Sequence, residues 1–321
     1  MSAPEPAPAT FPPAVAERLR AGAFLLVDKP RGPSSHQVTA WVRDLLGLDR
    51  AGHAGTLDPG VSGLLWIGVG PALKLIPLTL EFPKRYVGVI DFHAAVAPRE
   101  LDRVVREFTG PIFQTPPVRS AVRRERRVRT VHRLEVLERT PTTALVDVVA
   151  DSGTYVRTLA VDLGDALGVG AQLAELRRTG TGPFREEAAI RLADLADRVH
   201  AARAGSPDGL LAALHPVEEV TREFPAIELK DGAAAAIAHG ASLARGGVGR
   251  PPPTFAAGAS VVLVDRAGRL VAVGRALVPS TDLGGRRPGW VIATTRVFAD
   301  PARYPPRWRT GATRAEPAAT G

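Results

Sequence analysis

The chain has 321 residues, 45% of them hydrophobic, which suits two domains or one large domain with a smaller appendage. It contains no cysteine, so disulfides, thiolate metal sites and a thiol nucleophile are excluded. The formal net charge of +8 favours a polyanionic partner, because surface Lys and Arg release counterions when they meet phosphates. Compositional bias is the alternative, since the only lysines are Lys29, Lys74, Lys84 and Lys230 while Arg, Ala, Pro and Gly abound. No apolar run reaches the roughly 18 residues of a membrane span. The start, MSAPEPAPATFPP, lacks the basic and apolar blocks of a secretory signal, so a cytoplasmic protein is expected.

In chain order, the Pro- and Ala-rich residues 1–13 predict a disordered tail, and a short helix is predicted over 14–21. FLLVD (24–28) reads as a buried strand. Lys29-Pro30-Arg31-Gly32-Pro33 breaks it, and Ser34 or Ser35 then caps a helix whose Val38, Trp41, Val42, Leu45 and Leu46 follow the 3.6 period. GHAGTLDPG (52–60) predicts a loop, and strands are predicted at 64–70 and 85–92, with an amphipathic helix at 99–108. Two strands joined by a turn follow at 134–139 and 144–150. Thr154 or Ser152 is expected to cap a helix running to about 167, ended by Gly168, with a further short helix over 171–178. A second unit starts near Pro225, with a strand at 226–229, a helix at 231–239, a Gly/Pro linker at 246–253 and strands at 260–265, 269–277 and 290–298. The pattern lacks regular βαβ alternation and predicts an α+β fold: a mixed-sheet domain over 14–225, a small β-barrel-like module over 226–300, and a basic, partly disordered tail over 301–321.

Several stretches carry chemistry. Asp58 lies in Gly55-Thr56-Leu57-Asp58-Pro59-Gly60, which alone reads as a β-turn with a positive-φ glycine. His53 and the crowded glycines add a second reading, a loop that lets backbone approach a ligand closely. Arg119, Arg123, Arg124, Arg126, Arg127, Arg129 and Arg133 fall in one short window with a single glutamate. Such a run is either a solvated face or an RNA-binding loop, and the guanidinium suits phosphate. Tyr86 follows Lys84-Arg85, as a strand-edge tyrosine or as a base-stacking platform beside cations. Tyr155 and Arg157 sit at a predicted helix start, where positive charge favours a neighbouring carboxylate in its ionised form. No HExxH or His/Asp cluster and no P-loop ending is present, so neither a metal nor a nucleotide cofactor is expected.

Taken together, these runs resemble the TruB/dyskerin family of pseudouridine synthases. The matching segments are VDKPRGPSSHQVTAWVRDLLG, AGHAGTLDPGVSGLLWIGVGPALKLIP, KRYVGVIDFH, FTGPIFQTPPVRSAVRRERRVRT, SGTYVRTLAVDLGDALGVGAQLAELRRTGTGPF and AIAHGASL…VVLVDRAGRLVAVGRAL, in that order over roughly 14–308. The resemblance implies an RNA isomerase that acts on a flipped-out uridine without a cofactor. It implies Asp58 as catalytic aspartate, Tyr86 as the residue stacked on the base and Arg157 as partner of the aspartate. Leu176 and Tyr155 would wall the uracil pocket, His53 would receive the RNA loop, and Lys29-Pro30 would buttress the site. Residues 226–298 resemble an RNA-gripping PUA module. The likeness is closest to the dyskerin branch, which implies an H/ACA guide ribonucleoprotein with guide RNA and small protein partners, acting on rRNA or tRNA. Two other readings share these features: a guide-independent tRNA synthase, and a non-catalytic RNA-binding scaffold. Leu73 and Phe113 depart from the usual Thr and Tyr of the family pattern, outside the implied catalytic set.

Overall fold

A computed structural model describes residues 11–115, 125–250, 253–285 and 288–305. The chain divides into two compact units, Met1–His215 and Pro216–Gly321.

In the first unit, α1 (Pro13–Ala21) opens with proline in its first turn, where a missing N–H is harmless. Phe11, just before it, packs against the core with the Arg203 guanidinium over its ring at 4.9 Å. Strand β1 (Ala23–Lys29) is apolar and buried along nearly its whole length. It pairs antiparallel with β3 (Ser62–Val69), from Ala23 opposite Val69 to Lys29 opposite Gly63. Between them lie α2 (Ser35–Leu45) and a short β2 (Ala51–Ala54), which pairs with β3, so part of the expected 52–60 loop is strand. Of the two candidate caps of α2, Ser34 is the one used: its Oγ accepts from the Gln37 amide while the Gln37 side chain accepts from the Ser34 amide, a reciprocal capping box.

After α3 (Ile76–Glu81) come β4 (Lys84–Phe92), α4 (Pro98–Glu107), β5 (Gly110–Gln114), β6 (Arg127–Arg139), β7 (Thr143–Ala150), α5 (Val156–Ala166), β8 (Ala171–Thr181), β9 (Phe184–Arg185) and α6 (Leu192–Arg203). The sheet runs β1-β3-β8-β4-β7-β6-β5, with β2 paired to β3 and β9 to β8. One apolar core lies among α1, β1, α2, β3 and α6, and another among β4, α4, β6, β7 and α5. They flank a seam where β3 meets β8 in a short parallel contact, Ser62 opposite Arg177 and Gly63 opposite Arg178.

Three expectations are corrected here. Residues 171–178 form strand β8, not a helix: Leu173 and Leu176 sit at helical spacing among good helix formers, but the segment pairs with β4 from Phe92↔Ala171 to Lys84↔Thr181, and that tertiary pairing overrides local propensity. The N-cap of α5 is Tyr155 rather than Thr154 or Ser152, with no side-chain cap bond. The basic stretch is not all loop, because β6 starts at Arg127 and pairs with β5, Gly110 opposite Val131 through Gln114 opposite Arg127.

The second unit has its own core around a five-stranded sheet. Ala226–Glu228 runs parallel to Ser260–Val264, which is followed by antiparallel Leu270–Ala276 and Trp290–Val297, with Leu243–Ala244 at the far edge. Helix Asp231–Ala238 packs on it. The predicted tail is ordered at its start: a 3₁₀ turn over Pro301–Arg303 leads to Tyr304, whose hydroxyl donates to Asp265 Oδ2 at 2.8 Å. Among the described residues, no helix is long and apolar enough to cross a membrane.

Candidate active site

Asp58 sits at the first position of a tight turn, with the Val61 amide donating to its carbonyl at 3.0 Å and Pro59 presetting the second position. The left-handed glycine is Gly55 (φ 75°) rather than Gly60. The loop is clamped from several sides. Ser35 Oγ donates to the Leu57 carbonyl and accepts from the Leu57 amide, both at 2.8 Å. The Gly32 amide donates to Pro59 O at 2.8 Å, and Arg178 Nη2 donates to Gly55 O at 3.0 Å. The Ser34-Ser35 pair thus splits its work: one residue caps α2 and its neighbour holds the Asp58 loop.

Arg157, in the first turn of α5, donates from its guanidinium to Asp58 Oδ2. The start of α5 is held by Gln114 of β5, whose buried amide accepts from the Tyr155 N–H at 2.9 Å and donates to the Tyr155 carbonyl at 3.1 Å. Asp58 and Arg157 remain 56% and 55% exposed. The site is therefore open in the free chain, not the dry pocket a buried carboxylate would require, and a bound substrate must exclude the water itself. Tyr86, on β4, is half-buried, lies opposite Arg178 of β8 and packs partly against the second core. Leu176, also on β8, lies opposite Gly88 and packs against the same core. The structure thus brings Asp58 and Arg157 into contact and sets Tyr86 and Leu176 on adjoining strands.

Lys29 ends β1 fully buried, its ammonium donating to Pro30 O and Pro33 O at 2.8 Å each. It shapes the turn beside the site instead of presenting an amine to solvent. Burial lowers its pKa, the Asp58 carboxylate pushes it back up, and the Arg178 charge lowers it further.

His53 connects α2 to the loop. Thr39 Oγ1 donates to Ser35 O at 2.7 Å, so it accepts from His53 Nδ1–H at 3.0 Å, leaving Nε2 to accept from Thr56 Oγ1 at 3.3 Å. That tautomer is the neutral imidazole. The His36 ring meets it edge-on at 4.8 Å. Burial first, then the neighbouring His36 and Arg178, pull the His53 pKa down to about 4. An unfolded histidine takes its proton near 6.5, so the unfolded chain binds more protons between those values. The stability His53 contributes is complete above about pH 6.5 and lost as pH falls through 4. His53→Asn is expected to flatten the fall in melting temperature between about pH 7 and pH 4.5 relative to the parent chain. Parallel slopes in thermal melts of the two proteins would contradict this account.

Of the basic residues, Arg119, Arg123 and Arg124 lie outside the described residues. Arg127 and Arg129 share one face of β6, and the Arg126 guanidinium stacks over the exposed Phe113 ring at 4.8 Å. Arg129 approaches Gly153, two residues before Tyr155, where an added Cβ would lie 3.3 Å from its guanidinium. Reversing Arg126, Arg127 and Arg129 to glutamate should weaken RNA binding and flatten the slope of log K against log salt by about 0.7–0.9 for each phosphate no longer neutralised. Filter-binding titrations over a salt series test this, and an unchanged slope would make these arginines a solvated face.

Sequence reasoning missed Arg178, Gln114 and the burial of Lys84. Arg178 is 1% exposed, and Nε donates to Leu64 O at 2.7 Å. Lys84 is buried with its amine toward Thr79 O, Leu80 O, Phe82 O and Ser152 Oγ. The available signals were two: an arginine inside a segment with a strand's alternate reading, and a lysine in a chain that otherwise prefers arginine.

Comparison with known proteins places this arrangement among enzymes that isomerise uridine in RNA. Residues 43–156 match the N-terminal domain model of TruB family pseudouridylate synthases, 157–221 the tRNA pseudouridylate synthase B C-terminal domain, and 225–298 the PUA domain. A probable tRNA pseudouridine synthase B of Methanothermobacter thermautotrophicus is 43% identical over 284 residues, covering 88% of each chain. One of Pyrobaculum arsenaticum is 43% identical over 289 residues, covering 90% of this chain and 87% of the relative. A crystal structure of a Cbf5-Nop10-Gar1 complex matches 95% of this chain and 93% of that chain, with TM-score 0.85 and 37% identity. An H/ACA RNP bound to a substrate RNA containing 2′-deoxyuridine matches 96% and 94%, with TM-score 0.81 and 35% identity. The chain belongs to the TruB family of pseudouridylate synthases and is an RNA pseudouridine synthase with a PUA domain.

Proposed function

We propose that this chain is the catalytic subunit of an H/ACA guide ribonucleoprotein, converting uridine to pseudouridine in rRNA or tRNA with a guide RNA and small protein partners. The observation that carries this reading is the similarity, through both units, to Cbf5 solved with Nop10 and Gar1 and to an H/ACA RNP with substrate RNA. In this reading Asp58 is the catalytic carboxylate, Arg157 orients it, Tyr86 stacks on the flipped base, Leu176 and Tyr155 wall the uracil, and His53 and Lys29 support the loop.

The reaction needs only this set. The bond from sugar C1′ to base N1 breaks, the uracil turns, and C1′ joins C5, whose proton is lost while N1 gains one. There is no net oxidation and no external group. Extracting the uridine from its stack costs a few kcal/mol, which an aromatic platform and basic strands offset. An ionised carboxylate serves at C1′, at C6, or as a base at C2′, and the arginine that pairs with Asp58 before substrate arrives sets its orientation.

The second reading, a stand-alone tRNA enzyme, is favoured by the names of the archaeal relatives. One experiment separates the two. Purified chain is incubated with bare tRNA, then with guide RNA, partner proteins and a guide-complementary substrate, and pseudouridine is mapped in each. Modification only at guide-specified uridines supports the first reading, and efficient modification of bare tRNA alone replaces it with the second. A protein that binds both RNAs and modifies neither would be a scaffold.

A further inference from the structure

Arg178 is the least explained charge in the catalytic unit. It is buried on β8, and among the described residues no carboxylate pairs with it. A buried guanidinium without a counterion is expensive, and a methionine of similar length would fill the same space at lower cost. The chain nevertheless leaves room for it: an added Cβ on Gly55 would lie 3.2 Å from its Nη1, while Gly63 (φ 102°), whose Cβ would lie 2.2 Å from the Arg178 carbonyl, lets the β3 and β8 backbones approach closely.

Its donors have specific destinations. Nε bonds Leu64 O on β3 at 2.7 Å, and Nη2 bonds Gly55 O at the root of the Asp58 loop at 3.0 Å. By register Arg178 lies opposite Gly63 on one side and Tyr86 on the other. One planar group therefore ties the strand leading from the Asp58 loop to the loop itself, from the position directly opposite the residue proposed to stack on the base.

We propose that Arg178 is a positioning residue for the isomerisation: from the strand position opposite Tyr86, its guanidinium holds the root of the Asp58 loop against β3 and so sets where the carboxylate stands relative to the stacked uracil. This rests on the roles given above to Asp58 and Tyr86. The rigid fork is what the task needs, since two acceptors in different directions are held by donors of fixed geometry, which a lysine ammonium on a flexible stem cannot reproduce. The charge is felt around the site: it contributes, after burial, to lowering Lys84 to about 7 and adds to the lowering of Lys29 and His53.

The test is single-turnover kinetics with excess enzyme, in whichever assembly the parent chain is active, for Arg178→Lys and Arg178→Met. Circular dichroism and melting curves establish folding. Arg178→Lys retains a positive charge and carries the test if the methionine variant does not fold. Expected is a fall of about 10²-fold in the rate at saturating enzyme for Arg178→Lys, the scale of a misplacement near 1 Å, with RNA affinity changed less than about 3-fold. A purely structural role would instead appear as a lower melting temperature with the rate of the folded protein unchanged. A loss seen wholly as weaker RNA binding, or a folded lysine variant with parental rate, would overturn the proposal. Asp58→Asn in the same series separates the two levels: an active Asp58→Asn refutes the site reading itself, whereas an inactive Asp58→Asn beside fully active Arg178 variants refutes only the role of Arg178.

Discussion

Asp58→Asn is expected to lower the isomerisation rate by at least about 10³-fold, within the range carried by a positioned carboxylate acting as base or nucleophile. The substitution keeps the size of the side chain and the turn, since the turn is made by the Asp58 carbonyl, Pro59 and the Val61 amide and not by the carboxylate. The clamps from Ser35, Gly32 and Arg178 act on Leu57, Pro59 and Gly55, so they also survive. What is lost is the charge that meets Arg157 and one oxygen able to attack or to take a proton. With the fold intact, RNA affinity should remain within a few-fold of the parent, and because the pair is more than half exposed, losing it should barely change the melting temperature. Pseudouridine mapping, RNA binding and thermal melts on one preparation check all three. Turnover near the parental rate would remove Asp58 from the mechanism, and a collapse in binding or stability would recast it as a structural turn residue.

Tyr86→Ala should weaken productive RNA binding by about 5- to 150-fold, the equivalent of about 1–3 kcal/mol of base stacking. Tyr86→Phe should bind RNA nearly as the parent does, since the ring remains on β4 between β7 and β8. The contrast isolates ring from hydroxyl. Tyr86 also packs partly against the second core, so part of the alanine effect will appear as a lower melting temperature, and affinity has to be measured well below it. Equal affinity of the alanine and phenylalanine variants would rule out stacking and leave Tyr86 as a packing residue.

Both predictions depend on interactions whose visibility in the sequence differs. The loop bearing Asp58 was legible because Gly, Asp and Pro announce a turn through their own backbone preferences, although which glycine turns left-handed was not. The helix over Ser35–Leu45 was legible through its apolar period, while its cap was ambiguous between two adjacent serines that turned out to do different jobs. The strand over Ala171–Thr181 was misread because its composition suits a helix, and only its hydrogen bonding with Lys84–Phe92 makes it a strand. The basic run was seen as charge, but its division between strand and neighbouring chain depends on pairing with Gly110–Gln114.

By itself, then, the sequence determined what kind of chemistry is available: no thiol, a net positive charge, an α+β order of elements, and motifs whose order matches one family. The tertiary structure alone decided which residues meet. Arg157 reaches Asp58 across 99 residues, and Arg178 reaches Leu64 and Gly55 across 114 and 123. The physical reason is one of range. Turn, helix and strand preferences are read over a few neighbouring residues, whereas these pairings exist only because Ser62–Val69 and Ala171–Thr181 are brought side by side between two separate apolar cores. No local pattern encodes that a buried arginine on one strand will hold the loop beneath an aspartate on another.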